Sequence, residues 1–239
     1  MEFVVNAEDT ESLFSQLVVG KRVALVGPGR TLTKNLEKIE ECDTVVRCGA
    51  WFHKKDTTHY GIRTDIVYNV FDNCPKAGGD MNTNLQNWKT EGVKLLCCSL
   101  SSNTNYYNSR VSSVVDNAKN HFPVRNVNST INDFVGVMCN SWTNSGFSAL
   151  VDLIANKPKH LYVVGVDCFR SLVNSNYPRM SDFDHADFIR DMEPGKQSNH
   201  HDPNKQYALL KCMYKNIPFL EFDPHIVSFF ENPEYDMIG

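Results

Sequence analysis

The segment Lys21–Leu32, KRVALVGPGRTL, decides the reading of the fold: a short apolar run breaks into Gly27-Pro28-Gly29 and then into helix-like sequence. Val23–Val26 is brief, β-branched and bounded by glycine, as a parallel strand buried on both faces should be. The two glycines let backbone approach a ligand closely, and Thr31 or Thr33 can cap the following helix, whose N-terminus would then face an anion. The same residues also read as a plain structural turn, because glycine-rich strand-to-helix turns are common in α/β proteins.

Working outward, the chain has 239 residues, of which 41% are hydrophobic, enough to bury a full core as one domain spanning 1–239. A net charge of -4 without a long basic run argues against nucleic-acid binding by phosphate neutralisation. No apolar run approaches the ~20 residues of a membrane span. The N-terminus carries Glu2, Glu8, Asp9 and Glu11 in place of a basic region followed by an apolar one, so the expectation is a soluble, unsecreted chain. Cysteines 42, 48, 74, 97, 98, 139, 168 and 212 form no C-x-x-C pair, and several sit in apolar runs such as Leu95–Cys98. They read as small hydrophobes in a reducing compartment, with no zinc site.

Apolar segments alternate with amphipathic ones along the chain, the pattern of a mostly parallel sheet covered by helices. Strands are expected at Val23–Val26, Thr44–Arg47, Ile66–Asn69, Val93–Cys98, Leu161–Val166 and Phe219–Phe222. Helices are expected at Ala7–Val18, Thr33–Ile39, Arg110–Asn120, Ser145–Asn156 and Pro203–Lys215. Two polar stretches, Asn73–Asn87 and Phe169–His201, read as long loops, and long loops in a compact domain tend to be functional lids.

Two further segments carry polar chemistry. Asn144-Ser145-Gly146 opens a helix, with Ser145 as a candidate cap, and that helix leads into the buried run Leu161–Val166. In an open parallel sheet ligands sit outside the carboxyl ends of strands where two such turns face each other, which pairs this segment with Gly27–Arg30. The loop Ser198–Gln206, SNHHDPNKQ, places two histidines before a helix that Asp202-Pro203 is well suited to start. A histidine at a crevice can serve as a general base because its ordinary pKa is about 6.5.

Together these segments resemble glycosyltransferase family 29, the sialyltransferases and sialyltransferase-like proteins, over residues 20–215. The family's large motif is similar to VALVGPGRTL, then CDTVVRCGAW with Asp43 and Arg47, then HYGIRTDIVYNVF with Gly61, Thr64 and Asp65. Its small motif resembles Asn144-Ser145-Gly146 with LYVVGVD, including Gly165 and Asp167, and its last motif resembles His201–Gln206. The resemblance implies a Rossmann-like sialyltransferase variant of the GT-A fold and transfer of a sugar from a nucleotide sugar, CMP-sialic acid first among them, to a glycan or other hydroxyl acceptor. It implies an inverting reaction that needs no metal and no cofactor. His201 would be the general base, and His185 or His200 would assist the departing phosphate. Gly27, Pro28, Gly29, Arg30, Arg47, Gly49, Asn144, Ser145, Gly146, Gly165 and Asp167 would line the donor site.

The chain departs from that pattern at Pro28 and Gly49, where the family usually places asparagines, and at Gln206, where it places a carboxylate. Val23 and Pro158 occupy the positions of the disulfide found in Golgi members, so the resemblance points to a cytoplasmic bacterial or viral relative. These departures keep open a decayed nucleotide- or sugar-binding protein. An NADP-dependent oxidoreductase is the other alternative: Gly27-x-Gly29 follows a strand, and Arg47 can accept a 2′-phosphate, although Leu32 replaces the third glycine. Asp182-Phe183-Asp184 has the composition of a metal-holding pair, but it lies in a polar loop and reads as a solvated turn.

Overall fold

A computed structural model describes residues 7–49, 56–71, 81–100, 107–171 and 201–232. Among them, strands β1 (Arg22–Val26), β2 (Thr44–Cys48), β3 (Ile66–Asn69), β4 (Leu95–Cys98), β5 (Val124–Asn126), β6 (His160–Val164) and β7 (Leu220–Phe222) form one sheet. Every neighbouring pair is parallel, in the order β5-β4-β3-β2-β1-β6-β7. The chain winds outward from β1 to β5, then returns to lay β6 on the other flank of β1. The order therefore reverses between β1 and β6, and the crevice beyond their carboxyl ends is the switch point where such sheets take ligands.

The described helices are α1 (Ala7–Val18), α2 (Leu36–Glu40), α3 (Thr57–Tyr60), α4 (Met81–Thr90), α5 (Ser112–Lys119), α6 (Ser129–Cys139), α7 (Ser145–Ala155), α8 (Pro203–Asn216) and α9 (Pro224–Glu231). A wide-turned segment at Tyr107–Val111 leads into α5. Alternate strand residues face opposite sides of the sheet, and both sides are covered. Leu25, Val46, Tyr68, Cys97 and Val163 pack under α1, α7, α8 and α9 in one core. On the other side Ala24, Val26, Val45 and Val164 meet Ile39 of α2 and Tyr60 of α3, and Val67, Leu96 and Cys98 meet α4 and α5. Burying both faces is why these strands are continuous apolar runs, each large side chain contributing about 1.5–3 kcal/mol.

A buried polar network fixes α7, the helix that opens at the crevice. Arg125 on β5 binds both carboxylate oxygens of Asp152 at 2.5 and 3.2 Å, and Tyr68 on β3 donates to the same carboxylate at 2.5 Å. Glu11 on α1 accepts from Arg125 Nε at 2.9 Å, and the guanidinium lies 3.9 Å from the centre of the Phe14 ring. Burial and the neighbouring Asp152 charge push the Tyr68 phenol well above its ordinary pKa. A charge taken out of water this way is tolerated only because its partners are all supplied.

Several sequence expectations need correction. The stretch expected as a polar loop at 73–87 contains the start of α4, whose Met81, Leu85 and Trp88 face the core. Helix α2 begins at Leu36, later than Thr33, because Thr31 and Thr33 are engaged elsewhere. Thr31 Oγ1 accepts from the Thr33 amide, Thr33 Oγ1 donates to Asp223, and Asn35 at the cap position makes no side-chain cap bond. Strand β4 starts at Leu95, β6 runs from His160 to Val164, and β5, α3, α6 and α9 were not expected at all.

Candidate functional site at the strand-order reversal

The glycine turns after β1 and β6 are in direct contact. Gly27 N donates to Val164 O at 2.7 Å and Gly29 N to Gly165 O at 2.8 Å. A Cβ at Gly27 would lie 2.4 Å from Gly165 O, one at Gly29 would lie 2.7 Å from it, and one at Gly165 would lie 2.6 Å from Gly27 O. Gly165 also has φ +63°, the left-handed region that side chains resist. These glycines are thus required by the meeting of two backbones, a packing reason that holds whether or not a ligand approaches. Tyr60 pins the same turn, donating to Gly29 O at 3.0 Å and accepting from Thr31 N at 3.1 Å.

Helix α7 starts on this platform. A Cβ at Gly146 would lie 3.3 Å from Val166, the residue that a Cβ at Gly27 would also strike, so Gly27, Gly29, Gly146 and Gly165 are gathered around one loop. Asn144, and not Ser145, caps the helix, its Oδ1 accepting from Phe147 N at 2.9 Å. Ser145 Oγ instead meets Ser99 Oγ, just past β4, at 3.2 Å.

His201 lies at the same edge, just ahead of α8. Its Nδ1 is 2.9 Å from Trp142 O, and its ring is stacked on Phe169 with centroids 6.3 Å apart and planes at 25°. A carbonyl only accepts, so Nδ1 carries the proton and Nε2 holds the basic lone pair of the neutral ring. Gln206, fully buried, donates from Nε2 to the same Trp142 O at 3.2 Å and accepts from Asn144 Nδ2 at 2.8 Å. The five-residue relation read from sequence therefore becomes a shared anchor: His201 and Gln206 converge on Trp142, and Gln206 ties α8 to the cap of α7. Asp202 begins α8 as expected, accepting from Lys205 N at 3.0 Å ahead of Pro203.

Asp167 organises the loop that presents Phe169. Its two oxygens accept from Phe169 N at 3.1 Å and Ser171 N at 2.9 Å, while Cys168 and Phe169 sit at φ +52° and +66°. Burial pushes the Asp167 carboxyl above its ordinary range, against those hydrogen bonds and the nearby His225, which hold it down. Two consecutive left-handed residues other than glycine store backbone strain of about 1–3 kcal/mol each, which tends to collect at functional loops.

The other expected donor residues are distributed unevenly. Gly49, at φ +81°, follows β2 and donates to Tyr68 O at 2.7 Å, a backbone shape that suits glycine. Pro28 is half-buried within the turn and Arg30 is exposed beside it. Arg47 is not brought to the crevice. Its Nε donates to Thr64 Oγ1 at 2.9 Å and its Nη2 to Arg63 O at 2.9 Å, both on the segment entering β3 at the amino edge of the sheet. Burial pulls its guanidinium down to about 10, opposed by Glu40 and Glu91. His185, His200, Asp182 and Asp184 lie outside the described residues.

Sequence reasoning missed Trp142, Phe169, Arg170 and Asp223. Asp223 caps α9 through His225 N at 2.7 Å and accepts from Thr33 Oγ1 at 3.1 Å, joining the first glycine turn to the end of β7. The dipeptide Asp223-Pro224 repeats the Asp202-Pro203 signal and was legible by the same rule. The described cysteines are all free, and all but Cys212 are buried. No helix among the described residues is long and apolar enough to cross a membrane.

Solved sialyltransferases share this architecture. CstII from Campylobacter jejuni, in complex with the substrate analogue CMP-3FNeuAc, is similar with a TM-score of 0.52 and 16% identity over 86% of this chain and 86% of that one. The monofunctional alpha-2,3-sialyltransferase Cst-I from the same bacterium gives 0.55 and 18% over 86% of this chain and 77% of that one. A mammalian sialyltransferase gives 0.50 and 14% over 91% and 79%. No protein-family model and no curated protein matches the chain.

Proposed function

We propose that the chain is a sialyltransferase-like glycosyltransferase, one domain across residues 1–239. It transfers a sugar from a nucleotide-sugar donor, a CMP-sugar such as CMP-sialic acid being the first choice, to an acceptor hydroxyl by inverting, metal-independent displacement. The observation that supports this best is the bond from His201 to Trp142 O beside the β1/β6 reversal, which orients the ring and assigns its basic nitrogen. In this reading His201 Nε2 removes the acceptor proton as the anomeric carbon is attacked from the face opposite the leaving CMP. The backbone of Gly27–Arg30 and the start of α7 at Asn144–Gly146 receive the nucleotide, and His185 or His200 assists the phosphate. That the fold's neighbours include proteins solved with CMP and with a CMP-sugar analogue favours a cytidine donor over other nucleotides.

The test combines binding and turnover. CMP is expected to raise the melting temperature with and without chelator, about 2.7 kcal/mol of stabilisation accumulating at 100 times its dissociation constant. His201→Ala is expected to lower transfer by about 10²- to 10⁴-fold while leaving CMP binding nearly unchanged. A shift seen only with UDP or GDP, and lost in chelator, would overturn the donor and the metal-free chemistry together. The decayed-site reading has its own support in Gln206, whose amide is committed to Asn144 and Trp142 where the family places a carboxylate. CMP binding without hydrolysis or transfer of any CMP-sugar would establish that alternative.

A further inference from the structure

We infer that Arg170 is an anion-binding residue of this site, taking the phosphate or the sugar carboxylate of the donor, an inference that rests on the donor class proposed above. Arg170 sits on the loop that leaves β6, between Phe169, which stacks on His201, and Ser171, whose amide is held by Asp167. Three contacts fix it. Its amide donates to Asp167 O at 3.2 Å, its Nη2 donates to Asn204 Oδ1 at 2.8 Å, and its guanidinium carbon lies 4.3 Å from the centre of the Tyr207 ring. Asn204 and Tyr207 are both on α8, within two turns of His201, so the cation is held beside the proposed base.

The partners that hold this half-buried guanidinium are neutral, which separates it from Arg125; Arg47 is also held by neutral partners, but it turns to the amino edge, away from the proposed site. Arg125 is matched by Asp152 and Glu11. Among the described residues no carboxylate pairs with Arg170, and its Nε is buried without a hydrogen-bond partner. An aromatic face and an amide oxygen orient a guanidinium without cancelling its charge. A guanidinium so oriented, on a residue that is only half-buried, is suited to a phosphate or carboxylate oxygen, which it binds through charge-assisted hydrogen bonds. The positive N-terminal end of α8, where Asn204 stands, adds field of the same sign.

The experiment measures binding of cytidine, CMP, the inert analogue CMP-3FNeuAc and inorganic pyrophosphate to wild type, Arg170→Gln and Arg170→Lys, with melting curves as the check on folding. If the phosphate is the ligand, Arg170→Gln lowers CMP affinity by about 10- to 100-fold and leaves cytidine unchanged. If the sugar carboxylate is the ligand, Arg170→Gln leaves CMP unchanged and lowers only the analogue, by the same factor. Arg170→Lys keeps the charge but not the fork, so it should retain an intermediate affinity for the same anion, and it replaces the glutamine variant should that one fail to fold. Equal binding of all four ligands by wild type and the substituted proteins overturns the inference. A wild type that binds neither CMP nor the analogue overturns the proposed donor instead. Arg170 is then judged by pyrophosphate alone: stabilisation lost in the glutamine or lysine variant supports it, and stabilisation that is absent or unchanged overturns it.

Discussion

The two edges of the sheet handle most of their charge differently. At the amino edge, charges are mostly matched in pairs, Arg47 with its neutral partners Thr64 and Arg63 O being the exception. Asp65, just before β3, accepts from Val45 N at 2.9 Å and pairs with Lys94 at 2.8 Å and Arg63 at 3.3 Å; Arg22 pairs with Glu41, and His160 with Glu221. At the carboxyl edge, the contacts described for the groups with chemical potential are neutral: His201 with Trp142 O, Asn144 with Gln206, Ser145 with Ser99 and Arg170 with Asn204, although Asp202 beside His201 keeps an ion pair with Lys205 at 3.5 Å. Ion pairs consume the charge they fix, whereas a carbonyl or an amide fixes orientation and leaves charge or basicity available. Under the proposed function, one edge closes the fold and the other receives the donor.

The largest effect should come from the meeting of the two glycine turns. Gly165→Ala places a methyl group within van der Waals overlap of Gly27 O and Gly29 O, both backbone atoms that cannot swing away, at a left-handed φ. We expect a loss of about 4 kcal/mol or failure to fold, since this combines overpacking with backbone strain. A soluble, cooperatively melting Gly165→Ala protein within about 1 kcal/mol of wild type would show that the turns are not locked together and that the carboxyl edge is looser than its hydrogen bonds indicate.

Asp65→Ala tests the other edge. It leaves Val45 N unpaired and two cations without their shared carboxylate, for an expected loss of about 2–4 kcal/mol by chemical denaturation. CMP affinity, corrected for the folded fraction, should not change. A selective loss of nucleotide binding with stability intact would break the division of labour between the edges.

These contrasts also explain what the sequence disclosed. The runs Val23–Val26, Thr44–Arg47, Ile66–Asn69 and Leu161–Val166 announced themselves because both faces of a central parallel strand are buried, and the parallel α/β class followed from their spacing. Strand β5 stayed hidden because an edge strand is short and this one carries Arg125, whose charge is cancelled only by residues far away in sequence. In α4 the helical spacing of Met81, Leu85 and Trp88 was present but sat among Asn and Thr, which read as turn formers. Helix α6 exposes Phe134, Val137 and Met138, which blurs its inner stripe of Val135 and Cys139. For the site, glycines and cap residues were legible because backbone geometry demands particular residue types. The direction of Arg47 was not legible for the converse reason: a motif position says nothing of which edge a long side chain turns toward. The contacts of Trp142, Phe169 and Arg170 exist only through tertiary packing.

A smaller effect is expected at the anchor shared by the two motifs. Gln206→Ala removes the fully buried amide joining α8 to Trp142 O and Asn144, leaving their polar groups to find water, at about 1–3 kcal/mol. Because Trp142 O also holds His201, transfer should fall further than CMP binding does. If kcat is unchanged while stability drops, Gln206 is only a tether and the orientation of His201 does not depend on it.

The smallest effects concern thiols, and they check that both edges are equally closed to solvent where no ligand is expected. Burial pushes Cys48, after which β2 ends, and Cys98, at the end of β4, up to about 12, while Cys212 on α8 is exposed. A folded pKa raised above the ordinary 9.0 means that the protonated thiol is favoured in the folded state. Its contribution is therefore complete below about pH 9 and is lost as pH rises from there toward about 12. In a Cys74→Ser protein, an aromatic disulfide reagent at pH 8 should titrate one thiol quickly, Cys212, and the other six only at the rate of global opening. Saturating CMP should slow those six by stabilising the fold and leave Cys212 untouched. Fast labelling of Cys98 or Cys168 that CMP suppresses would instead place open solvent beneath the crevice, and the carboxyl edge would then be a cavity extending below the glycine platform.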